Sequence, residues 1–120
     1  MKGHMSTENG EIILENEVLK QYAGSAAVEC AGVVGMASVN VKDGLGKLLM
    51  RDKLSHGVNV LVENNVLTID LHIIVAYGVS IATVAQNLVD NVKYKIENYT
   101  GMKVRKVNVL VEGVRVVDEE

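Results

Sequence analysis

Apolar residues recur along this chain in two rhythms, every second residue and every third to fourth, and each rhythm predicts an element. Glu11–Leu14 reads as a short strand. Asn16 follows as a good N-cap, because its side chain can accept from the open amides of a first helical turn. Leu19, Tyr22, Ala23, Ala26, Ala27 and Cys30 then fall on one helical face, which predicts an amphipathic helix with Cys30 on its buried stripe. Gly32 is the expected stop.

Residues 32–57 are less regular. Met36 to Val41 reads as a short strand or extended link, and Asp43 to Arg51 as an amphipathic turn or two through Leu45, Leu48 and Leu49. Gly44 and Gly46 each cost about 1 kcal/mol inside a helix, so that piece should be frayed.

Strict alternation returns at Val58, Val60 and Val62, followed by the turn-like Glu63-Asn64-Asn65. Leu67, Ile69, Leu71, Ile73 and Val75 then share one face of a long strand, with Thr68, Asp70 and His72 on the other. Together these predict a β-hairpin with one buried face. Gly78 breaks the strand and Ser80 caps a long helix whose stripe is Ile81, Val84, Ala85, Leu88, Val92, Ile96 and Tyr99. Gly101 ends it. A last strand runs from Lys103 to about Val116, with Val107, Val109 and Val111 on one face. The chain is therefore expected to be an α+β protein, a single two-layer domain in the order β-α-(short α)-β-β-α-β, with the helices packed on one face of a small mixed sheet.

Composition sharpens this picture. The chain has 120 residues, enough for one hydrophobic core, and 48% are apolar, which excludes a disordered chain. There is no Phe, Trp or Pro, so the core must be aliphatic. The net charge of −3 gives no global bias toward nucleic acid or anionic membranes. Charge is nevertheless uneven: Lys93, Lys95, Lys103, Arg105 and Lys106 form a basic run against Glu97 alone, and both ends are acidic. That run is either a solvated face or a docking patch. The single cysteine, Cys30, excludes an internal disulfide and fits a reducing cytoplasm. No signal peptide is visible, and no apolar run reaches the ~20 residues of a membrane helix. Residues 1–5 read as a cloning remnant with Met5 as a natural start, leaving 6–120 as the domain.

No constellation for catalysis emerges. His4, His56 and His72 lack metal-ligand spacing, and Cys30 belongs to no Cys-x-x-Cys. Asp70 and His72 share a strand face, but nothing brings Cys30 to them, and a buried thiol is a poor nucleophile. Gly44-Leu45-Gly46-Lys47-Leu48 lacks the first glycine and the hydroxyl of a phosphate loop. No catalytic residue, metal or cofactor is expected. Gly32-Val33-Val34-Gly35 offers an alternative, an RNA-binding KH-like module whose Gly-x-x-Gly loop clamps nucleotides. Its middle residues are apolar, however, and only four tyrosines are present. A membrane-surface role for residues 45–51 would rest on three leucines, which bury little area.

Several pieces together resemble a known family: Gly32-Val33-Val34-Gly35-Met36-Ala37, the stretch from Val66 through Ile73-Ile74-Val75-Ala76-Tyr77-Gly78-Val79, Ile81-Ala82-Thr83-Val84-Ala85, and Tyr99-Thr100-Gly101-Met102 leading into Val104-Arg105-Lys106-Val107-Asn108-Val109. In this order they resemble the alkaline shock protein family of Gram-positive bacteria, the Gls-type general stress or envelope stress response proteins, over about residues 11–114. The resemblance implies a cytoplasmic protein of cell-envelope homeostasis with no established catalytic residues. It also implies a membrane-anchored protein partner for some members, and longer members carry charged tails that this chain lacks. From the residues themselves, the last strand has surplus apolar surface at Val109-Leu110-Val111 and Val114 to Val117. That surface is either wrapped within the sheet or used for self-association. The expectation is a scaffold that forms oligomers and docks a partner protein, with Lys103, Arg105 and Lys106 as the contact and no role for nucleic acid or direct membrane insertion.

Overall fold

Alternation is most faithfully converted into structure at the hairpin. The computed structural model describes residues 2–7, 10–40, 45–48 and 51–116, with side chains described for 10, 14–38 and 53–116. Strands β1 (Lys2–Thr7) and β2 (Gly10–Glu15) form an antiparallel ribbon, so residues 2–5 have strand pairing of their own. Helix α1 (Asn16–Val28), β3 (Val33–Asn40), β4 (Leu45–Leu48) and a 3₁₀ segment (Arg51–Gly57) follow. The chain closes with β5 (Val58–Glu63), β6 (Val66–Ala76), helix α2 (Ile81–Thr100) and β7 (Lys103–Arg115).

The α+β class holds, with helices on one face of a mixed sheet, but the element order is corrected in its first half. β4 pairs antiparallel with Ala37–Asn40, where the sequence predicts an amphipathic turn. Gly44 and Gly46 weaken a helix there, and a strand partner close in sequence satisfies the backbone instead. The short helical piece lies later, at 51–57. Residues 43, 44, 49 and 50 of the expected turn, and Val41 of the expected strand or link before it, lie outside the described residues. Asn16 is likewise one residue inside the helix. Glu15 holds the N-cap position at φ −66°, ψ 141°, without a side-chain cap bond, because it is still paired with Lys2 in the β1–β2 ribbon. The side-chain oxygen of Asn16 is buried with no hydrogen-bond partner among the described residues.

β6 is the central strand. β7 runs parallel along its whole length on one side, as a β-α-β crossover through α2 requires. On the other side β5 pairs with Val66–Leu71 and β3 with Ile73–Val75, so two strands share one edge of β6 in tandem. The β5–β6 turn has φ of 51° at Asn64 and 62° at Asn65, the type I′ signature that matches strand twist. Glycine suits the second of these positions better than Asn. Asn65→Gly is therefore expected to raise the urea midpoint by the equivalent of about 0.5 kcal/mol at unchanged m-value.

Leu67, Ile69, Leu71, Ile73 and Val75 all point to the helix side and are buried, as the alternation predicts. Leu19, Ala23, Ala26 and Ala27 of α1 and Val84, Leu88, Val92 and Ile96 of α2 close over them. The run of alanines lets α1 lie close to its neighbours, so the core needs no aromatic filling. Leu54 of the 3₁₀ segment packs into the same core, and Ser55 Oγ donates to Glu17 Oε1 at 2.5 Å, which ties this segment to α1. Ser80 caps α2 by accepting from Thr83 N, and Gly101 ends it in the left-handed conformation.

Candidate interaction face

The outer face of the sheet, opposite the helices, gathers the charged residues. Its starting point is fixed by the end of α2. Gly101 N donates to Glu97 O, and Thr100 Oγ1 links Ile96 O (2.7 Å) to Met102 N (3.0 Å). Glu97 Oε2 accepts from Val104 N at 2.9 Å. Of these four bonds, the one from Val104 N to Glu97 reaches β7 itself, and the other three fix the turn that leads from α2 into it.

Strict alternation would place Lys103 and Arg105 on one face of β7 and Lys106 on the other. The structure departs from that. Val104 pairs with Leu67, Lys106 with Thr68 and Val107 with Ile69, which makes Arg105 an extra residue in a β-bulge. Lys103 and Lys106 are in register with outward-facing Val66 and Thr68, and Arg105 lines a 170 Å³ depression with Glu63, Asn64, Val66 and Thr68. The bulge therefore collects all three cationic side chains on the outer face. All three are exposed, and none has an ion pair among the described residues. Lys95, from the same basic run, differs: it pairs with Glu29, and that hydrogen bond raises its pKa above the ordinary amine value. The bulge had a visible signal in sequence, the spacing Val104-Arg105-Lys106-Val107, because two polar residues between inward valines cannot fit a period of two. A second such spacing, Val111-Glu112-Gly113-Val114, marks a second bulge, between the pairs Ile73–Val111 and Ile74–Gly113. It breaks the expected single face of Val107, Val109 and Val111 beyond Val111.

Further along the outer face, Asn108 Nδ2 donates to Asp70 Oδ1 at 2.7 Å, and His72 Nδ1 lies 2.9 Å from Glu112 Oε1. His72 Nε2 is 3.4 Å from Asn59 Nδ2. Asp70 and His72 are thus committed to neighbours across the strands. Cys30 is on the helix side of the sheet, where Asn91 Nδ2 donates to both Ala26 O and Cys30 Sγ. The sheet itself separates Cys30 from the other two groups of the conceivable nucleophilic set, Asp70 and His72.

The Gly32–Gly35 motif is consumed by packing. Val33 to Gly35 belong to β3, Gly35 pairs with Ile74, and Gly35 is buried. A Cβ on Gly32 would fall 2.6 Å from Val84 Cγ2. The pair is the entry to a strand rather than a solvent-facing clamp, which removes the basis of the KH-like alternative. Residues 45–48, the centre of the membrane-surface alternative, form a strand rather than an amphipathic helix. Among the described residues no helix is long and apolar enough to cross a membrane. Two of the four tyrosines do meet: Tyr22 and Tyr99 stack with centroids 4.1 Å apart, beside an open groove of about 410 Å³ that includes Val18 and Gln21. Their positions lie 77 residues apart in sequence, so nothing local announced the pairing.

Comparison with known proteins adds a context to this geometry. The profile of the alkaline shock protein 23 family, described by its "cell envelope-related function", matches residues 4–116. The uncharacterised protein YloU of Bacillus subtilis is 44% identical over 119 residues, which is 98% of this chain and 99% of that one. A stress response regulator gls24 homolog of Streptococcus pyogenes is 25% identical over 117 residues, covering 95% of this chain and 64% of that longer protein. Among solved structures, the MamM CTD in its copper form aligns at a TM-score of 0.52 with 13% identity, over 87% of this chain and 91% of that one. The likeness to MamM concerns the fold alone.

Proposed function

Because the chain belongs to the alkaline shock protein 23 family, whose description ties it to the cell envelope, we propose that it is a non-enzymatic adaptor of envelope homeostasis and stress response that works by binding protein. Its docking contact is the cationic trio Lys103, Arg105 and Lys106. The partner is a membrane-held protein at the cytoplasmic face that presents an acidic segment. The observation carrying this reading is the bulge at Arg105, which turns a strand's alternating charges into one three-charge surface without ion pairs among the described residues. Exposed cations that hold no ion pair among the described residues are available to an anionic partner, and complementary charge sets encounter rate and specificity. The stress-response name of the Streptococcus pyogenes relative supports the same setting.

The variant Lys103→Glu/Arg105→Glu/Lys106→Glu tests the contact. It is expected to leave the envelope fraction of cells and appear in the soluble fraction. Its far-UV circular dichroism should stay that of the parent, since all three side chains are exposed. Unchanged fractionation of the folded variant would discard the trio. Binding of the pure parent chain to protein-free anionic vesicles would instead discard the protein partner.

A further inference from the structure

β7 is a 13-residue strand whose strand partner among the described residues is β6 alone, so no described strand pairs along its other edge, although β3 and β4 come near β7. Open edges of this length invite another strand. Charges and bulges commonly blunt such edges, but here they sit toward the ends of β7, at Lys103, Arg105 and Lys106 and at Glu112 and Arg115. The stretch Val107-Asn108-Val109-Leu110-Val111 between them carries no charge.

We propose that β7 pairs antiparallel with β7 of a second copy of this chain, about a two-fold axis at Val109, giving one sheet continuous across both copies. Self-complementarity of the strand selects this occupant. The two bulges place Arg105 and Lys106, and then Glu112 and Gly113, on the outer face. Centred on Val109, they fall opposite one another, so face matches face over the whole strand. On the helix side, Val104 meets the second copy's Val114, Val107 meets its Val111, and Val109 meets itself. On the outer side, Lys106 meets Glu112 twice, once on each side of the axis. Val111 and Val114 are 37% and 51% exposed although they point to the helix side. In the pair they lie against Val107 and Val104, which are 8% and 0% exposed, and so extend the other copy's core. One contact is adverse, Lys103 opposite Arg115. It lies at the solvated ends, where screening makes it weak.

That adverse contact makes the register testable with opposite signs. The 13.0 kDa chain is expected to sediment as a dimer at micromolar concentration. Lys106→Glu sets two like-charged pairs against each other and should raise the dissociation constant about tenfold, as expected for two exposed pairs. Lys106→Glu/Glu112→Lys should restore it. Lys103→Glu removes the Lys103–Arg115 repulsion and should tighten the dimer severalfold. Val109→Cys should form a disulfide-linked dimer under mild oxidation that the parent, with Cys30 alone, does not form. Facing residues of an antiparallel pair lie about 4.5–5.5 Å apart, within disulfide reach. A monomer at all concentrations overturns the proposal, as does a dimer indifferent to both lysine variants or one that Val109→Cys fails to link. Self-pairing goes beyond the docking role and can fail without it: Lys103→Glu/Arg105→Glu removes two docking charges yet keeps the dimer, and sedimentation of the pure chain reads only the dimer.

Discussion

Gly32→Val is expected to lower the unfolding free energy by about 3–4 kcal/mol, a large part of the roughly 5–15 kcal/mol that holds a small domain together. Two causes add. Gly32 has φ of 88°, where a β-branched residue carries strain on the order of 1–3 kcal/mol. A Cβ there would also meet Val84 Cγ2 at 2.6 Å and Val79 Cγ1 at 3.7 Å, and Val84 is 6% exposed and packed in the core. Overpacking of that kind costs about 1–3 kcal/mol. The backbone has little freedom to yield, because Gly32 O accepts from Ala76 N at 2.9 Å and Val33 N donates to Cys30 O at 3.2 Å. Urea unfolding of Gly32→Ala, Val84→Ala and the double variant separates the causes. The double variant should recover the steric part and retain the part due to φ. Full stability in Gly32→Ala would mean that the glycine is not there for packing, and a backbone-contacting ligand would again have to be sought at this turn.

Much of the fold is legible where the deciding interactions are local. The β5–β6 hairpin follows from alternation on both sides of Asn64-Asn65, and α2 from a strong stripe bounded by Ser80 and Gly101; the structure sets the bounds of each where the sequence does. What is misread depends on partners distant in sequence or on pairing that a single strand does not display. Leu45–Leu48 carries as much helical as strand character, and pairing with Ala37–Asn40 decides it. Asn16 has the chemistry of a cap, but the pairing of Glu15 with Lys2 moves the helix start by one residue. The stripe of α2 is also shorter than its spacing suggests, since Ile81 and Tyr99 at its ends are about half exposed. Charge alone names the cationic trio. That its members share a face follows from the bulge at Arg105, which two polar residues between valines could have announced. That β7 is an edge strand has no signature in the sequence, because the sharing of one side of β6 by β3 and β5 is a property of the whole sheet.

Leu88→Ala is expected to cost about 3 kcal/mol, within the roughly 2–5 kcal/mol range for deleting a buried leucine side chain. Leu88 is fully buried at the middle of α2, between Val84 and Val92, and faces the aliphatic core. Ile81→Ala, on the first turn of the same helix, should cost less than about 0.5 kcal/mol, because Ile81 is 48% exposed and alanine favours a helix more than isoleucine does. The contrast matters because α2 carries the chain from β6 to β7, and its last turn fixes the start of β7 through Glu97 and Thr100. Among the described residues β7 has strand pairing on one side only, so the packing of α2 is its principal other restraint. Leu88→Ala should therefore speed amide exchange in β7 more than in β5, which pairs with β6 and is pinned to the helix layer through buried Val58. Urea titration gives the energy and exchange gives its distribution. Equal acceleration in β5 and β7 would mean that the core opens as one unit, with α2 exerting no separate hold on the strand that bears Lys103, Arg105 and Lys106.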